Sequence, residues 1–169
     1  MRFLIRFITV GFLTVLLSLG SVFAQRNSIE VRGDVQNPYT WSVDAVKKHF
    51  VGEIQVMKYW FEREELTGIP LIELINAAEL KTEESPKHHE LSFIVILESY
   101  DGYRAFFTYA ELASRAKYSP AILVWDEKGK PLPDRELPFR LLTEDGDRSI
   151  YGITRITLLD GFKLANSLK

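Results

Sequence analysis

The stretch Phe93-Ile94-Val95-Ile96-Leu97-Glu98-Ser99-Tyr100-Asp101-Gly102-Tyr103-Arg104-Ala105-Phe106-Phe107-Thr108 has the pattern of two strands joined by a turn. Phe93 to Leu97 is a continuous apolar run of strand length. Asp101-Gly102 is a strong turn signal, and Tyr103 to Thr108 then resumes with the composition of a strand. We therefore expect a β-hairpin at the centre of the chain.

Further strands are expected on both sides of this hairpin. Apolar residues alternate with charged ones from Ile29 to Val35, which is the period of a half-buried strand. The chain therefore contains more strand candidates than helix candidates. The remaining strand candidates are Glu53–Phe61, Ala121–Trp125, Phe139–Thr143 and Gly152–Leu159.

The helices predicted by the sequence are short. The clearest one starts at Pro70, a residue type that fits the first helical position. A helix capped by Thr40 or Ser42 is expected before Phe50, and a brief one over Tyr109–Ala116. The fold class expected is α+β, a mostly β mixed sheet with a curled, barrel-like core. The apolar face of the clearest helix comprises Leu71, Leu74, Ile75 and Ala78.

Residues 1–24 contain the three parts of a secretory signal peptide. Two arginines precede an apolar run from Phe7 to Leu19, and Val22-Phe23-Ala24 supplies the small residues of a cleavage site. The run is shorter than the roughly 20 apolar residues of a membrane-spanning helix. We expect cleavage near Ala24, a periplasmic or secreted protein, and one domain over residues 25–169. An uncleaved membrane anchor is the alternative.

Composition excludes several classes of partner. The 169 residues include 21 basic and 23 acidic ones and no cysteine. Loss of residues 1–24 leaves 19 basic against 23 acidic residues, a net charge of −4. A mildly acidic chain without a basic stripe is a poor match to nucleic acid or to an anionic membrane surface. A disulfide-linked partner is impossible, so the expected globular core must be stabilised by burial alone.

A set of short motifs runs in order through nearly the whole mature chain. The motifs are Ile29–Pro38, Thr67-Gly68-Ile69-Pro70-Leu71, Asp101-Gly102-Tyr103, Gly129-Lys130-Pro131-Leu132-Pro133, Leu137-Pro138-Phe139-Arg140-Leu141, and Arg148-Ser149-Ile150-Tyr151 with Arg155-Ile156. In this order they resemble the molybdopterin-binding domain of the sulfite oxidase family, in a short, single-domain and cysteine-free form. The resemblance implies that family's fold and a molybdopterin cofactor. If the protein is an enzyme, the resemblance implies a molybdopterin-dependent oxidoreductase.

The chain differs from that family at the residue that ligates the metal. Catalytic members place a cysteine near the end of the second strand, where its thiolate ligates molybdenum. The corresponding region here is Gln55-Val56-Met57-Lys58-Tyr59-Trp60. A methionine thioether is neutral and lacks the anionic sulfur that holds a high-valent metal. We therefore expect no metal ligands from the protein, and catalytic residues stay unassigned.

Candidate cofactor-binding residues are those able to donate hydrogen bonds to a pterin phosphate or another small anion. Arginine suits this role because its planar fork makes charge-assisted, often bidentate bonds. In the alternative, each arginine pairs with a local acid: Arg140 with Glu136, and Arg148 with Asp145 or Asp147. The candidates are Tyr103, Arg104, Arg140, Arg148 and Ser149.

His88-His89-Glu90 is the other group of potential ligands. Adjacent histidines rarely point at one ion, and the ligand spacing of structural zinc sites is missing. A polar loop is the expectation for this segment.

Two functions follow from these observations. The first is an exported molybdopterin-oxidoreductase-like domain that binds a pterin or a small anionic ligand without thiolate-ligated molybdenum chemistry. The second is a non-enzymatic periplasmic sensing or interaction module that acts on a membrane-bound signalling partner. The ordered motifs favour the first, whereas the missing thiolate and the small size favour the second.

Overall fold

A computed structural model describes residues 27–51, 55–58, 65–84, 86–113, 121–143 and 149–169. In these residues, ten strands alternate with short helices. The strands are β1 (Ser28–Gly33), β2 (Tyr39–Ser42), β3 (Gln55–Lys58), β4 (Glu65–Pro70), β5 (Phe93–Ser99), β6 (Arg104–Thr108), β7 (Ala121–Glu127), β8 (Lys130–Pro131), β9 (Arg140–Thr143) and β10 (Ile153–Asp160). The helices are α1 (Val43–His49), α2 (Leu71–Ala77), a 3-10 turn (His89–Ser92), α3 (Tyr109–Ala113) and α4 (Gly161–Ser167).

The strands form two sheets. Sheet 1 has the order β2-β1-β10-β5-β6, with β1 and β10 parallel and the other neighbours antiparallel. Sheet 2 has the order β3-β4-β7, and β8 and β9 both pair with the second edge of β7. All neighbours in sheet 2 are antiparallel.

One main core lies between the two sheets and the helices. Sheet 1 contributes alternate residues of its strands, such as Val95 and Leu97, because successive side chains of a strand point to opposite faces. Sheet 2 contributes Leu123 and Leu141, and α2 contributes Leu74. Both sheets therefore share the same apolar interior.

A second, smaller core covers the other face of sheet 2. Strand β7 is buried on both faces, which explains its continuous apolar sequence. The loop between β8 and β9 folds back onto this face. The second core consists of Leu66, Ile122, Val124, Leu132 and Leu142, with Leu137 packed against it.

The local sequence explains the helix starts. The Ser42 side chain accepts a hydrogen bond from the Ala45 N–H at 3.2 Å and so caps α1, as one of the two expected caps. The predicted apolar face of α2 is confirmed, since its four residues are fully buried. Pro70, however, is the residue before α2 and not its first residue.

Sheet pairing adds elements that the sequence patterns did not predict. The sequence patterns predict no strand before the helix at Pro70, but Glu65–Pro70 forms β4 because it pairs along its length with β7. Tyr39–Ser42 pairs with β1 as an edge strand, although its sequence suggested only a helix cap. Helix α4 was not predicted either.

The mixed α+β class, with mostly strands and short helices, is confirmed. The barrel-like closure is not found in the described part of the chain, where the two sheets stay open. The hairpin at the centre is confirmed, with β5 and β6 in antiparallel register. None of the helices in the described ranges is long and apolar enough to cross a membrane. The predicted signal peptide, residues 1–24, and Tyr59-Trp60 lie outside the described residues.

Candidate functional site

Arg140 lies at the start of β9, on the face of sheet 2 that carries the second core. It is opposite Val124 of β7, and paired residues share a face. Only 6% of Arg140 is exposed, which is rare for an arginine. A buried guanidinium needs partners, so its surroundings define the candidate site.

Two carboxylates reach Arg140. Glu136, itself 4% exposed, places Oε2 at 3.1 Å from Arg140 Nη1. Glu127 Oε2 lies at 4.0 Å from the same nitrogen. The ion pair with Glu136 was the local alternative predicted for Arg140, and the structure shows it.

A register shift brings Glu127 to this site. Thr67 pairs with Asp126 but the next residue, Gly68, pairs with Val124, so β7 carries one extra residue at Trp125. Such a bulge reverses the alternation of side chains beyond it. Glu127 is consequently opposite Leu66, on the face of the second core.

One edge of the Arg140 guanidinium is bound neither by Glu136 nor by Glu127. Nε and Nη2 are buried and have no hydrogen-bond partner among the described residues. These two nitrogens form the side of the guanidinium that binds a carboxylate or a similar group through two parallel bonds. Because nearly all buried polar groups in proteins are hydrogen-bonded, this vacant edge calls for an acceptor.

Ser149 is brought near Arg140 by an isolated bridge. Leu141 and Ile150 exchange two backbone hydrogen bonds, of 2.8 and 3.2 Å. This antiparallel pairing puts Ser149 beside Leu142 and Tyr151 beside Arg140. Ser149 is thus beside Leu142, two positions along β9 from Arg140, and stays a candidate, while Arg148 lies outside the described residues.

Arg104 lies on the other sheet. It is on the outer face of β6, where its Nε donates to Glu98 Oε2 at 2.6 Å. Glu98 Oε1 in turn accepts from Arg155 Nη1 at 2.7 Å, and Arg155 Nε donates to Glu30 Oε2 at 2.8 Å. Arg104 therefore belongs to a row of alternating charges across sheet 1, and the structure does not bring it to Arg140.

Tyr103 lies in the hairpin turn and is 60% exposed. Its backbone N–H donates to Asp101 Oδ1 at 3.0 Å. The hydroxyl of Ser99, together with this N–H, lowers the pKa of Asp101 below its usual value. None of the contacts between described residues joins Tyr103 to Arg140, so its role in binding stays a prediction.

An exposed arginine covers the buried pair. Arg135 Nε lies 3.5 Å from Glu136 Oε1, on the opposite oxygen from Arg140. The Arg135 guanidinium also stands 5.9 Å from the centre of the Tyr151 ring, within cation–π range. The Gly152 N–H donates to the Glu136 carbonyl at 3.2 Å, which ties this loop to the segment before β10.

His89 is buried, whereas the sequence predicts a polar loop for its segment. It is 3% exposed, and its Nδ1 accepts the Glu83 N–H at 2.8 Å. Nε2 therefore carries the proton, and it lies 3.1 Å from Asp160 Oδ1 without the alignment of a good hydrogen bond. Both ring nitrogens face the protein, so His89 has no free nitrogen for a substrate. His88 is exposed and points elsewhere.

Potential metal ligands are scattered in the described ranges, where no three histidines, aspartates or glutamates gather in a group able to hold an ion.

Glu136 and Glu127 are the site residues that sequence reasoning did not assign to ligand binding. Glu136 was detectable as a neighbour of Arg140, four positions away. Glu127 was not, because its position depends on the bulge in β7.

No protein-family model matches this chain, and no curated protein matches it either.

Proposed function

We propose that this protein is an exported, cysteine-free ligand-binding domain that holds a pterin or a small anionic ligand through Arg140. The single observation that supports this function is the buried Arg140 guanidinium, whose Nε and Nη2 have no acceptor among the described residues. The proposal includes the finer fold, that of the sulfite oxidase molybdopterin domain, which rests on the ordered motifs of the sequence alone.

Molybdenum chemistry is not part of the proposal. The sequence contains no cysteine, so a protein thiolate cannot ligate the metal. What Arg140 supplies is a fixed pair of N–H donors in a low-dielectric setting, where hydrogen bonds are strong. These donors bind and orient a ligand, and no redox step follows from them.

The loop between β8 and β9 supplies neighbours of Arg140 in this proposal. It contributes Glu136 to the ion pair, and Leu132 and Leu137 to the second core. The loop therefore packs on the same face of sheet 2 as Arg140.

The test is a titration of the mature protein with pterin-6-carboxylate and, separately, with benzoate as a small anion. We expect at least one of them to bind, and Arg140→Lys to weaken it about 10-fold or more, since lysine keeps the charge but loses the two-donor edge. Arg104→Lys is the matched control on the other sheet and should leave binding unchanged. If neither probe binds, or if Arg140→Lys binds as wild type does, the proposal fails.

Export is tested by the mass of the protein recovered from the producing cells. Cleavage after Ala24 predicts a mature chain that begins with Gln25. A chain that retains Met1 in the membrane fraction would support the uncleaved anchor instead.

A second candidate function is a sensing or interaction module that acts on a membrane-bound signalling partner. It is favoured by the aromatic side chains exposed on the hairpin, Tyr103 at 60% and Phe106 at 59%. Exposed aromatic residues are enriched in protein interfaces. With p-benzoylphenylalanine at position 103, this function predicts a crosslink to a membrane protein in cells. The same residue at exposed Lys87 is the control, and equal crosslinking from both positions would contradict the function.

A further inference from the structure

The charges around Arg140 restrict which ligand its vacant edge can accept. We infer that the ligand is a small, mostly apolar molecule, neutral or singly negative, that presents two adjacent hydrogen-bond acceptors, and that it is not bound through a phosphate. This inference deepens the proposed function and rests on it.

The first step is the geometry of the vacant edge. Glu136 occupies Nη1, and the atoms left over are Nε and Nη2 on the adjacent side of the same plane. Their N–H bonds run nearly parallel, so they match two acceptors that lie side by side in one plane. A carboxylate or another planar pair of oxygens meets this requirement.

The second step is the charge balance. The side chains of Arg140 and Glu136 are 7% and 5% exposed, and that of Glu127 is 27% exposed. Two carboxylates therefore already lie within 4.0 Å of one guanidinium nitrogen, with limited screening by water. A doubly negative phosphate would be repelled by both, while a neutral or singly negative group meets much less repulsion. Arg135 adds a positive charge, but its side chain is 78% exposed and well screened.

The third step is the apolar surroundings. Arg140 shares its face of sheet 2 with Val124 and Leu142, and the covering loop adds Leu132 and Leu137. Apart from the charged groups named above and Ser149, the described residues of this neighbourhood offer mainly hydrocarbon contacts. A ligand body that is apolar gains from burial here, whereas a polyhydroxylated one would lose its hydration.

The experiment compares three probes that share one phenyl ring: benzoate, nitrobenzene and phenyl phosphate. Each is titrated into the mature protein while the Nε–H resonances of ¹⁵N-labelled arginine are followed. We expect the Arg140 resonance to shift with benzoate and nitrobenzene, and phenyl phosphate to bind about 10-fold or more weakly than benzoate. Arg140→Lys should weaken benzoate binding by a similar factor.

Glu127→Gln provides the matched charge variant. Removing one neighbouring negative charge should strengthen phenyl phosphate binding more than benzoate binding, and should leave nitrobenzene binding nearly unchanged. This variant keeps the size of the side chain and the Glu136 ion pair, so the comparison survives even if Arg140→Lys does not fold.

Different results would contradict the proposed function and the inference about ligand class. If phenyl phosphate binds as tightly as benzoate and shifts the Arg140 resonance, the inference about ligand class is wrong and the Arg140 site stands. If none of the three probes shifts that resonance but pterin-6-carboxylate does, the inference is wrong and the proposed function stands. If pterin-6-carboxylate does not shift it either, the proposed function is wrong and the inference falls with it.

Discussion

Single residues fix the geometry of this fold where the backbones approach closely. Gly33, at the end of β1, has a φ of +106° and lies against the backbone of Leu158 in β10. A Cβ at this position would overlap the Leu158 carbonyl oxygen. That carbonyl also accepts the Asp34 N–H at 2.8 Å, so it cannot move without losing a bond. Glycine is therefore required here for both its conformation and its size.

We expect Gly33→Ala to lower the free energy of unfolding by about 3 kcal/mol or more, because backbone strain and steric overlap act together. Gly129→Ala is the control: its φ is +72°, but no heavy atom lies within 4 Å of the added Cβ. Strain alone should cost about 1 kcal/mol there. Urea denaturation of both variants measures the difference. Equal losses would show that the contact with Leu158 is unimportant.

At the scale of elements, charged side chains connect neighbouring strands. The row Arg104–Glu98–Arg155–Glu30 crosses four strands of sheet 1, each residue directly opposite the next. Arg155 is central: it bonds a carboxylate on each side, and these bonds raise its pKa further above the usual value. Directly opposed charges of opposite sign stabilise strand pairing.

Replacing Arg155 with methionine should therefore lower the free energy of unfolding more than replacing an arginine outside this row. We expect Arg155→Met to lower the free energy of unfolding by about 1–2 kcal/mol, since two charge-assisted bonds disappear and Glu30 and Glu98 lose the cation between them. Arg32→Met is the control, because Arg32 is half exposed and its Nη1 lies 3.8 Å from Glu30 Oε1, beyond hydrogen-bond distance. Its loss should stay below about 0.5 kcal/mol. Thermal or urea unfolding distinguishes the two, and a larger effect at Arg32 would refute this ranking.

The junction of β10 and α4 is held by a second charged group. Asp160 caps α4 by accepting the Phe162 N–H at 2.9 Å, and Asp34 accepts the Asp160 N–H at 2.9 Å. That backbone bond, with help from Lys163, lowers the pKa of Asp34. Burial raises the pKa of Asp160, but the adjacent His89 ring and the hydrogen bonds from the helix N–H groups outweigh burial, and the net pKa is lowered.

These lowered pKa values predict acid sensitivity. Because both carboxyls are more acidic in the folded chain, their contribution to stability is present above about pH 4 and is lost as the pH falls below the unfolded-state value. Asp34→Asn should therefore make the free energy of unfolding depend less on pH between about pH 5 and pH 3. Urea midpoints at several pH values measure this. Glu84→Gln, at an exposed loop position, should keep the wild-type dependence, and an unchanged slope in Asp34→Asn would contradict the assignment.

At the scale of the whole molecule, the two sheets share one interior. The main core includes Val95 and Ile156 from sheet 1 together with Leu123 and Phe139 from sheet 2. Neither sheet can lose its partner without exposing the same apolar surface to water. Such a shared core is the physical basis of cooperative unfolding.

We therefore predict a single unfolding transition for the mature chain. Far-UV circular dichroism reports on both sheets. In a variant with Trp41 and Trp60 replaced by phenylalanine, the fluorescence of buried Trp125 reports on sheet 2. The two urea curves should coincide and give the same midpoint. Two separated transitions would mean that the sheets fold as independent units.

The sequence by itself determined the class of the fold and most of its elements. Alternation of apolar residues located β1, a continuous apolar run with Asp101-Gly102 located the β5–β6 hairpin, and helical spacing located the buried face of α2. It also identified Arg140 and its local partner Glu136. Each of these depends on residues close together in the chain, where periodicity and turn chemistry act directly.

Only the tertiary structure decided which residues share a site. Arg104 and Arg140 are equivalent candidates in the sequence. In the structure, Arg104 pairs with Glu98 on the outer face of sheet 1, whereas Arg140 is buried on sheet 2. Strand β4 forms because its backbone pairs with β7. Glu127 lies near Arg140 because the bulge in β7 places its side chain on the face of the second core. Pairing between distant strands sets these positions, and no local pattern carries the register of such a pairing.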